Sequence, residues 1–299
     1  MRIIGLLICL VFSACNNERQ SAVASAPLIS IHYTDDLGNT LNFPNTPERV
    51  ISLAPNITEM MYALGAEDRL IACSQACDYP LATQLLPRVF TYPELDTESI
   101  LGFNPDLILA TTEIFPAELG AWFGNYKIPV LFQSYTSLSD VYRNMEQLSV
   151  LLGMEEKGKS ITGKMRSVSD SIALAHSKQT QYSVMILVNA NPLCIAGKRS
   201  YMDDLIRMGG GKNIGGLMDQ AYPEVSLEFI LKQDPDFILL PAKDDASALQ
   251  FITQNPILAS LNAVREKRLI RVNPDVYFRP GPRTLEALIE IADLLHPGE

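Results

Sequence analysis

Histidine and tryptophan are scarce: three His and one Trp occur in 299 residues. The histidines, His32, His176 and His296, stand far apart, and no second Cys pair joins Cys73 and Cys77 to complete a four-ligand zinc set. No metal centre is expected. The Gly-x-Ser-x-Gly elbow of serine hydrolases is missing, and no histidine is placed as an obvious general base, so no catalytic residue is assigned and the chain is not read as an enzyme. Gly209-Gly210-Gly211-Lys212-Asn213 resembles a phosphate loop only superficially. It lacks the first glycine at the required spacing and has Asn where Ser or Thr must hold magnesium; it reads as the end of a helix through Ile206-Arg207-Met208. Positive charge is in deficit, with 24 Lys and Arg against 34 Asp and Glu and a net charge of −10. With no basic stripe, nucleic acid is not an expected partner. No apolar run reaches the ~20 residues of a membrane span.

What is present is a globular composition, 47% hydrophobic and 19% charged, in a chain long enough for two domains. Residues 1–15 read as an export signal: Arg2, a short apolar run over 3–11, then Phe12-Ser13-Ala14 before Cys15. Small residues ahead of a cysteine resemble a bacterial lipobox, which makes Cys15 the expected lipidation site; an ordinary signal cut near Ala14 is the alternative. Residues 16–27 are small and polar and read as a tether. Cys73 and Cys77 are left open between a disulfide and a pair of buried thiols.

A hairpin is expected around Asp35-Asp36-Leu37-Gly38-Asn39, between apolar-alternating segments at 29–33 and 40–43. From Arg49 the pattern becomes strand–helix alternation, with strands at 50–53, 70–73, 89–90, 106–110 and 130–133. Asn56 reads as an N-cap and Glu59 as its capping-box partner. Residues 137–178 break the rhythm. They contain no proline, carry Tyr142, Met145, Leu148 and Leu152 at helical spacing, and are divided by Gly153. Strands resume at 184–188. The fold class that follows is α/β, with two Rossmann-like lobes on central parallel sheets joined by a long spine helix. The lobes are placed at 28–136 and 179–299. A repeat supports two equivalent halves: Glu98-Ser99-Ile100-Leu101-Gly102-Phe103-Asn104-Pro105-Asp106-Leu107-Ile108-Leu109 matches Glu228-Phe229-Ile230-Leu231-Lys232-Gln233-Asp234-Pro235-Asp236-Phe237-Ile238-Leu239. Each copy reads as a short helix, a proline stop and a buried strand.

Ligands of open α/β sheets sit beyond the strand ends. The chemistry-bearing residues expected there are Asp78-Tyr79-Pro80 and Tyr92 in the first half, and Asn191-Pro192, Tyr201, Tyr222-Pro223 and residues 275–279 in the second. Aromatic faces with a few polar groups suit a large, partly apolar ligand. Glu98 and Glu228 each open a helix, where the macrodipole favours a carboxylate; one acid per half also suits docking to a two-fold partner.

These residues resemble those of periplasmic binding proteins with a single helical spine, which serve importers of cobalamin, iron siderophores and haem. The resemblance runs from Pro47 to Leu295. Arg49-Val50-Ile51-Ser52-Leu53-Ala54-Pro55-Asn56-Ile57-Thr58-Glu59 looks like the family's opening, and Cys77-Asp78-Tyr79-Pro80 like its first ligand loop. The cobalamin-binding branch matches best, through Asp78, Tyr79, Tyr92, Tyr222-Pro223 and the Asp275/Arg279 pair ahead of Pro282-Arg283. The resemblance implies ligand contacts at Asp78, Tyr79, Tyr92, Tyr201, Tyr222, Asp275, Tyr277 and Arg279. It also implies docking through Glu98 and Glu228 on an ABC permease dimer with its ATPase subunits, anchorage to a membrane through Cys15, action as a monomer and no cofactor beyond the transported ligand. This sequence departs from the pattern in having Tyr92 and Tyr222 where tryptophans are expected and Cys194 where a Phe is expected. Haem-binding relatives carry Arg two residues after the Tyr92 position; here Glu94 stands there. A corrinoid is therefore favoured over haem or a ferric siderophore, with a surface scavenger lacking a transporter as a further alternative.

Overall fold

Alternate residues of the central strands enter different cores, and this period of two sets the architecture. The computed structural model describes residues 31–298, so the signal segment, Cys15, the tether over 16–27 and the first residues of the expected hairpin lie outside the described residues. In chain order the first half contains β1 (Ile31–Thr34), β2 (Thr40–Phe43), β3 (Val50–Ser52), α1 (Pro55–Leu64), β4 (Leu70–Ser74), β5 (Arg88–Val89), α2 (Thr97–Gly102), β6 (Leu107–Thr111), α3 (Glu118–Gly124) and β7 (Val130–Gln133). Two helices follow, α4 (Leu138–Leu151) and α5 (Glu155–His176). The second half contains β8 (Tyr182–Ala190), β9 (Leu193–Ile195), α6 (Tyr201–Met208), β10 (Gly211–Asn213), α7 (Leu227–Gln233), β11 (Phe237–Pro241), α8 (Asp245–Gln254), α9 (Asn262–Arg265), β12 (Leu269–Val272), α10 (Pro274–Tyr277) and α11 (Thr284–Leu295).

The first sheet runs β5-β4-β3-β6-β7, all parallel. The second runs β10-β8-β11-β12, parallel, with β9 antiparallel on β8. In each sheet the strand earliest in sequence lies inside, so the order reverses beside it, between β3 and β6 and between β8 and β11. Val50, Leu107 and Leu109 of the first sheet share one core with Val184, Ile186 and Leu239 of the second. Their neighbours Ile51, Ile108 and Ala110 face a core private to the first lobe, and Met185, Ile238 and Leu240 face one private to the second. The near-continuous apolar strands follow from this burial on both faces.

The repeated Pro-Asp has a structural reason. Asn104 and Asp234, just before the prolines, sit at φ 50° and 40°, the left-handed region that Asn and Asp tolerate best among non-glycine residues. This ends the helix and turns the chain into the strand. Asp106 then accepts hydrogen bonds from the backbone N–H groups of Glu48 (2.8 Å) and Arg49 (2.9 Å), at the start of β3. Asp236 accepts from the N–H (2.8 Å) and hydroxyl (2.7 Å) of Ser183, at the start of β8. Each copy thus clamps the first parallel strand of its own sheet.

Within 137–178 the chain turns at Gly153, where φ is +69°, and α4 folds back along α5. Tyr142 and Ser169 hydroxyls lie 2.8 Å apart, Thr162 donates to Glu146 at 2.6 Å, and Gly158 abuts Ser149; the partners run in opposite directions, an antiparallel helix pair. The capping box Ser137/Asp140 starts α4. The 22-residue α5, ~33 Å long at the α-helical rise, carries the chain to the second sheet. One smaller expectation is corrected: Phe90 is exposed just past β5. Asn191-Pro192 is the turn of a β8–β9 hairpin.

The contact at Gly158 is testable. A Cβ there would fall 2.0 Å from Ser149 Oγ and 2.4 Å from Ser149 Cβ, and the Ser149 hydroxyl is held by the Glu146 carbonyl at 2.6 Å. Gly158→Ala should lower stability in urea by about 1–3 kcal/mol through overpacking. An unchanged midpoint would show that the two helices separate freely.

Candidate functional site

The site begins where β3 runs into α1. Ala54 occupies the N-cap in extended backbone and makes no side-chain cap, and Pro55 takes the first turn, where its missing N–H is harmless. The capping box expected at Asn56 and Glu59 is therefore not formed. Both side chains instead reach the other lobe. Asn56 Nδ2 donates to the Pro280 carbonyl at 3.2 Å. Glu59, 3% exposed, accepts two bonds from Arg283, from Nε at 2.8 Å and Nη2 at 2.5 Å, and lies 3.4 Å from Arg279 Nη1.

Arg279 completes an inter-lobe cluster. It contacts Asp78 at 2.5 Å and Asp275 at 2.8 Å. Arg283 also donates to the Asp275 carbonyl at 3.1 Å and stacks 4.3 Å above the Tyr79 ring centroid. Four residues expected from sequence, Asp78, Tyr79, Asp275 and Arg279, thus meet around two that were given no ligand-site role, Glu59 and Arg283. The available signal was burial: Ile57, Thr58, Met60 and Met61 flank Glu59 and are all buried, and a carboxylate within such a stretch requires a cationic partner. The hydrogen bond from Arg279, with its charge, holds the Asp78 carboxyl below its ordinary pKa.

Beside the cluster lies a cavity of about 130 Å³ between the lobes. Asn56, Thr111 and Glu113 line it from the first lobe, and Tyr201, Tyr222 and Phe278 from the second. It stands at the carboxyl ends of β3 and β6, the switch point of the first sheet, where ligands of such sheets bind. Its volume is well below the ~300–1,000 Å³ of a drug-sized site, so it suits one arm of a ligand whose body occupies the open cleft. Tyr222 forms part of its wall; burial first, and the Glu113 charge second, push its hydroxyl up to about 12. Phe278 lies within the span 275–279 expected from the sequence, whereas Glu113 was not singled out and belongs to no recognisable motif. A further cavity of about 290 Å³ lies at the ends of β8 and β11, bounded by α8, but only second-lobe residues line it.

Tyr79 and Tyr92 are 48% and 80% exposed on loops that follow β4 and β5. Two of the expected contacts need correction. Tyr277 is fully buried; it faces Glu290 of α11, and burial pushes its hydroxyl pKa far up. Tyr201 is 1% exposed and its hydroxyl donates to the Tyr277 carbonyl, so only its ring borders the cavity. Tyr277 supports that wall from behind, through the carbonyl that holds Tyr201. Cys73 and Cys77 are buried free thiols beneath the Asp78 loop, with Arg88 Nη1 donating to Cys73 Sγ at 3.0 Å. Glu98 and Glu228 are exposed in the first turns of α2 and α7, which Asp96 and Ser226 cap. Among the described residues no cluster of three or more His, Cys, Asp or Glu is placed to hold a metal, and no helix is long and apolar enough to cross a membrane.

Comparison with known proteins agrees with this fold. The family model described as periplasmic binding protein matches residues 50–276. The vitamin B12-binding protein of Vibrio parahaemolyticus is 28% identical over 259 residues, covering 85% of this chain and 92% of that protein. The crystal structure of the periplasmic vitamin B12 binding protein BtuF of Vibrio cholerae superposes with a TM-score of 0.73 at 27% identity, over 84% of this chain and 97% of that one. The periplasmic heme-binding protein RhuT of Roseiflexus gives 0.73 at 25% identity, over 83% and 98%.

Removing the central carboxylate should be costly. Glu59→Gln leaves two guanidiniums, each about one-eighth exposed, without their shared anion, and should cost about 3 kcal/mol in denaturant unfolding. Asp78 adds a pH dependence. Its folded pKa is depressed, so its contribution is complete above the unfolded value of about 4 and fades as pH falls below it. The stability difference between native protein and Asp78→Asn should shrink between pH 6 and pH 3; a constant difference would mean the Arg279 contact does not form in solution.

Proposed function

The chain belongs to the periplasmic binding protein family, a substrate-binding and non-catalytic type, and from that premise we propose that it captures a corrinoid such as cobalamin between its lobes, without turning it over, and delivers it to an ABC permease. The observation that carries this reading is the convergence of Asp78, Tyr79, Asp275 and Arg279 from two lobes on one cleft, next to a cavity walled by Tyr222. Flat aromatic faces at 79, 92 and 222 suit the large face of a corrin ring. The cations of the cleft are already engaged: Arg279 and Arg283 face three carboxylates. A ligand with two carboxylates, such as haem, would find no uncompensated cation in this cluster, whereas an uncharged amide periphery suits it. Glu94 in place of an arginine points the same way.

Haem is the second reading, and Tyr92 is what favours it. Its exposed phenol is the residue type that ligates haem iron in some proteins. In either case delivery runs through Glu98 and Glu228, one per lobe, on a permease dimer. Cys15 anchors the protein to a bacterial membrane through a lipid, and the monomer is the working unit.

Purified protein titrated with cyanocobalamin and with haemin decides the ligand. Cyanocobalamin should bind at micromolar concentration or tighter, and Tyr222→Ala should weaken it by about tenfold or more through loss of stacked area. No binding of any corrinoid would sink the assignment. Reversing both Glu98 and Glu228 to Lys should abolish uptake in cells while leaving binding in solution intact; undiminished uptake would remove them from docking.

A further inference from the structure

Thr111 ends β6 at the switch point and borders the inter-lobe cavity. It is 3% exposed, and its hydroxyl has no hydrogen-bond partner among the described residues. A buried hydroxyl left unpaired costs about 1–3 kcal/mol, a cost that a bound polar group at this wall would remove. Two residues on, Glu113 borders the same cavity. Its Oε1 is fixed by the Tyr135 N–H at 2.8 Å and the Ser134 hydroxyl at 3.1 Å. Tyr135, Tyr201 and Tyr222 line the same cavity, and burial first, with the Glu113 charge adding to it, raises the pKa of each. Two of the neighbouring hydroxyls are committed elsewhere: Tyr135 donates to Gln133 at 2.6 Å, and Tyr201 to the Tyr277 carbonyl. The wall therefore presents a carboxylate acceptor and a hydroxyl in a space large enough for a side arm.

We propose that Thr111 and Glu113 form an amide-reading subsite, which takes the N–H donors of a neutral carboxamide arm of the ligand and rejects a carboxylate in the same place. The subsite deepens, and rests on, the corrinoid reading. An N–H₂ group satisfies the acceptor Glu113, and the amide oxygen accepts from Thr111. A carboxylate would meet Glu113 as a like charge across a narrow cavity. Specificity of this kind comes from the repelled alternative as much as from the accepted one.

The test uses four probes on the full chain: cyanocobalamin, its monocarboxylates in which one peripheral amide is hydrolysed, haemin, and haemin diamide in which both propionates are amidated. Dissociation constants are measured by equilibrium dialysis for native protein, Glu113→Gln and Thr111→Val. At least one monocarboxylate should bind about tenfold or more weakly than cyanocobalamin, and Glu113→Gln, which keeps an oxygen for Tyr135 and Ser134, should close that gap to about threefold. Thr111→Val should weaken cyanocobalamin about fivefold while leaving the ligand-free melting temperature unchanged or higher, because the unpaired hydroxyl is gone. Equal binding of amide and carboxylate forms, a gap that persists in Glu113→Gln, or Thr111→Val that binds as well as native protein would each overturn the subsite. If corrinoids fail and the haem pair binds, the corrinoid reading falls alone. The subsite then stands if the diamide binds more tightly and that preference is lost in Glu113→Gln, and falls if haemin binds more tightly. Failure of all four probes overturns both.

Discussion

Each sheet buries one face in a core that belongs to neither lobe alone. Val50, Leu107 and Leu109 on one side and Val184, Ile186 and Leu239 on the other belong to the same buried cluster, together with residues of α1, α4, α6 and α11. Rotating one lobe away from the other would expose this apolar surface, at roughly 25 cal/mol per Å². The chain crosses between the sheets once, through the α4–α5 pair, and α5 packs on both α6 and α11. Hinge motion is opposed by packing and by a stiff connector at once. A cleft built this way is largely formed before its ligand arrives, so little binding energy is spent on ordering it.

The ion cluster sits at the edge of that shared core and acts differently. Burying Glu59 against Arg279 and Arg283 costs desolvation that the pairing only offsets, so the cluster contributes little net stability compared with an apolar contact of the same size. Its effect is on geometry. Arg283 binds Glu59 through two nitrogens, and such a fork fixes distance and angle together. The apolar core keeps the lobes together; the fork sets their relative orientation. The cluster is graded from inside to outside, with Glu59 2%, Arg279 13% and Asp78 56% exposed in their side chains. The buried end holds the lobes, and the Asp78 end is the part an incoming ligand can reach.

Features of this fold that depend on neighbours in sequence were legible before any coordinates. The Pro-Asp repeat, the break at Gly153 and the buried face of Tyr142, Met145, Leu148 and Leu152 each follow from local backbone chemistry or a single period. The site was only half legible. Asp78 and Arg279 were found through motif resemblance, but their contact spans two hundred residues, and nothing local at Glu59 announces two arginines beyond position 278. Asn56 and Glu59 fit a capping box by spacing; Pro55 pre-empts it by starting the helix two residues earlier, with Ala54 at the N-cap. Tyr201 and Tyr277 lie at expected loop positions yet turn inward, because Tyr201 opens α6 and Tyr277 closes α10, and both side chains pack into the core. Loop position fixes where a residue is in the sheet's frame, whereas side-chain direction depends on what the next helix packs against.

The same repeat also connects the cleft to the surface proposed for docking. Glu98 and Glu228 stand at the second residue of α2 and α7, and each helix runs through a left-handed residue and a proline into a central strand. Asp106 and Asp236 tie those strand starts to β3 and β8. Each acid is therefore attached to its own sheet through only one short, strongly bonded unit. Because the shared core and the Glu59 fork fix one sheet against the other, they also fix the separation of the two acids. A partner that reads both acids at once is reading the orientation of the lobes, and that orientation is set by the same cluster whose outer members, Asp78 and Arg279, border the ligand cleft.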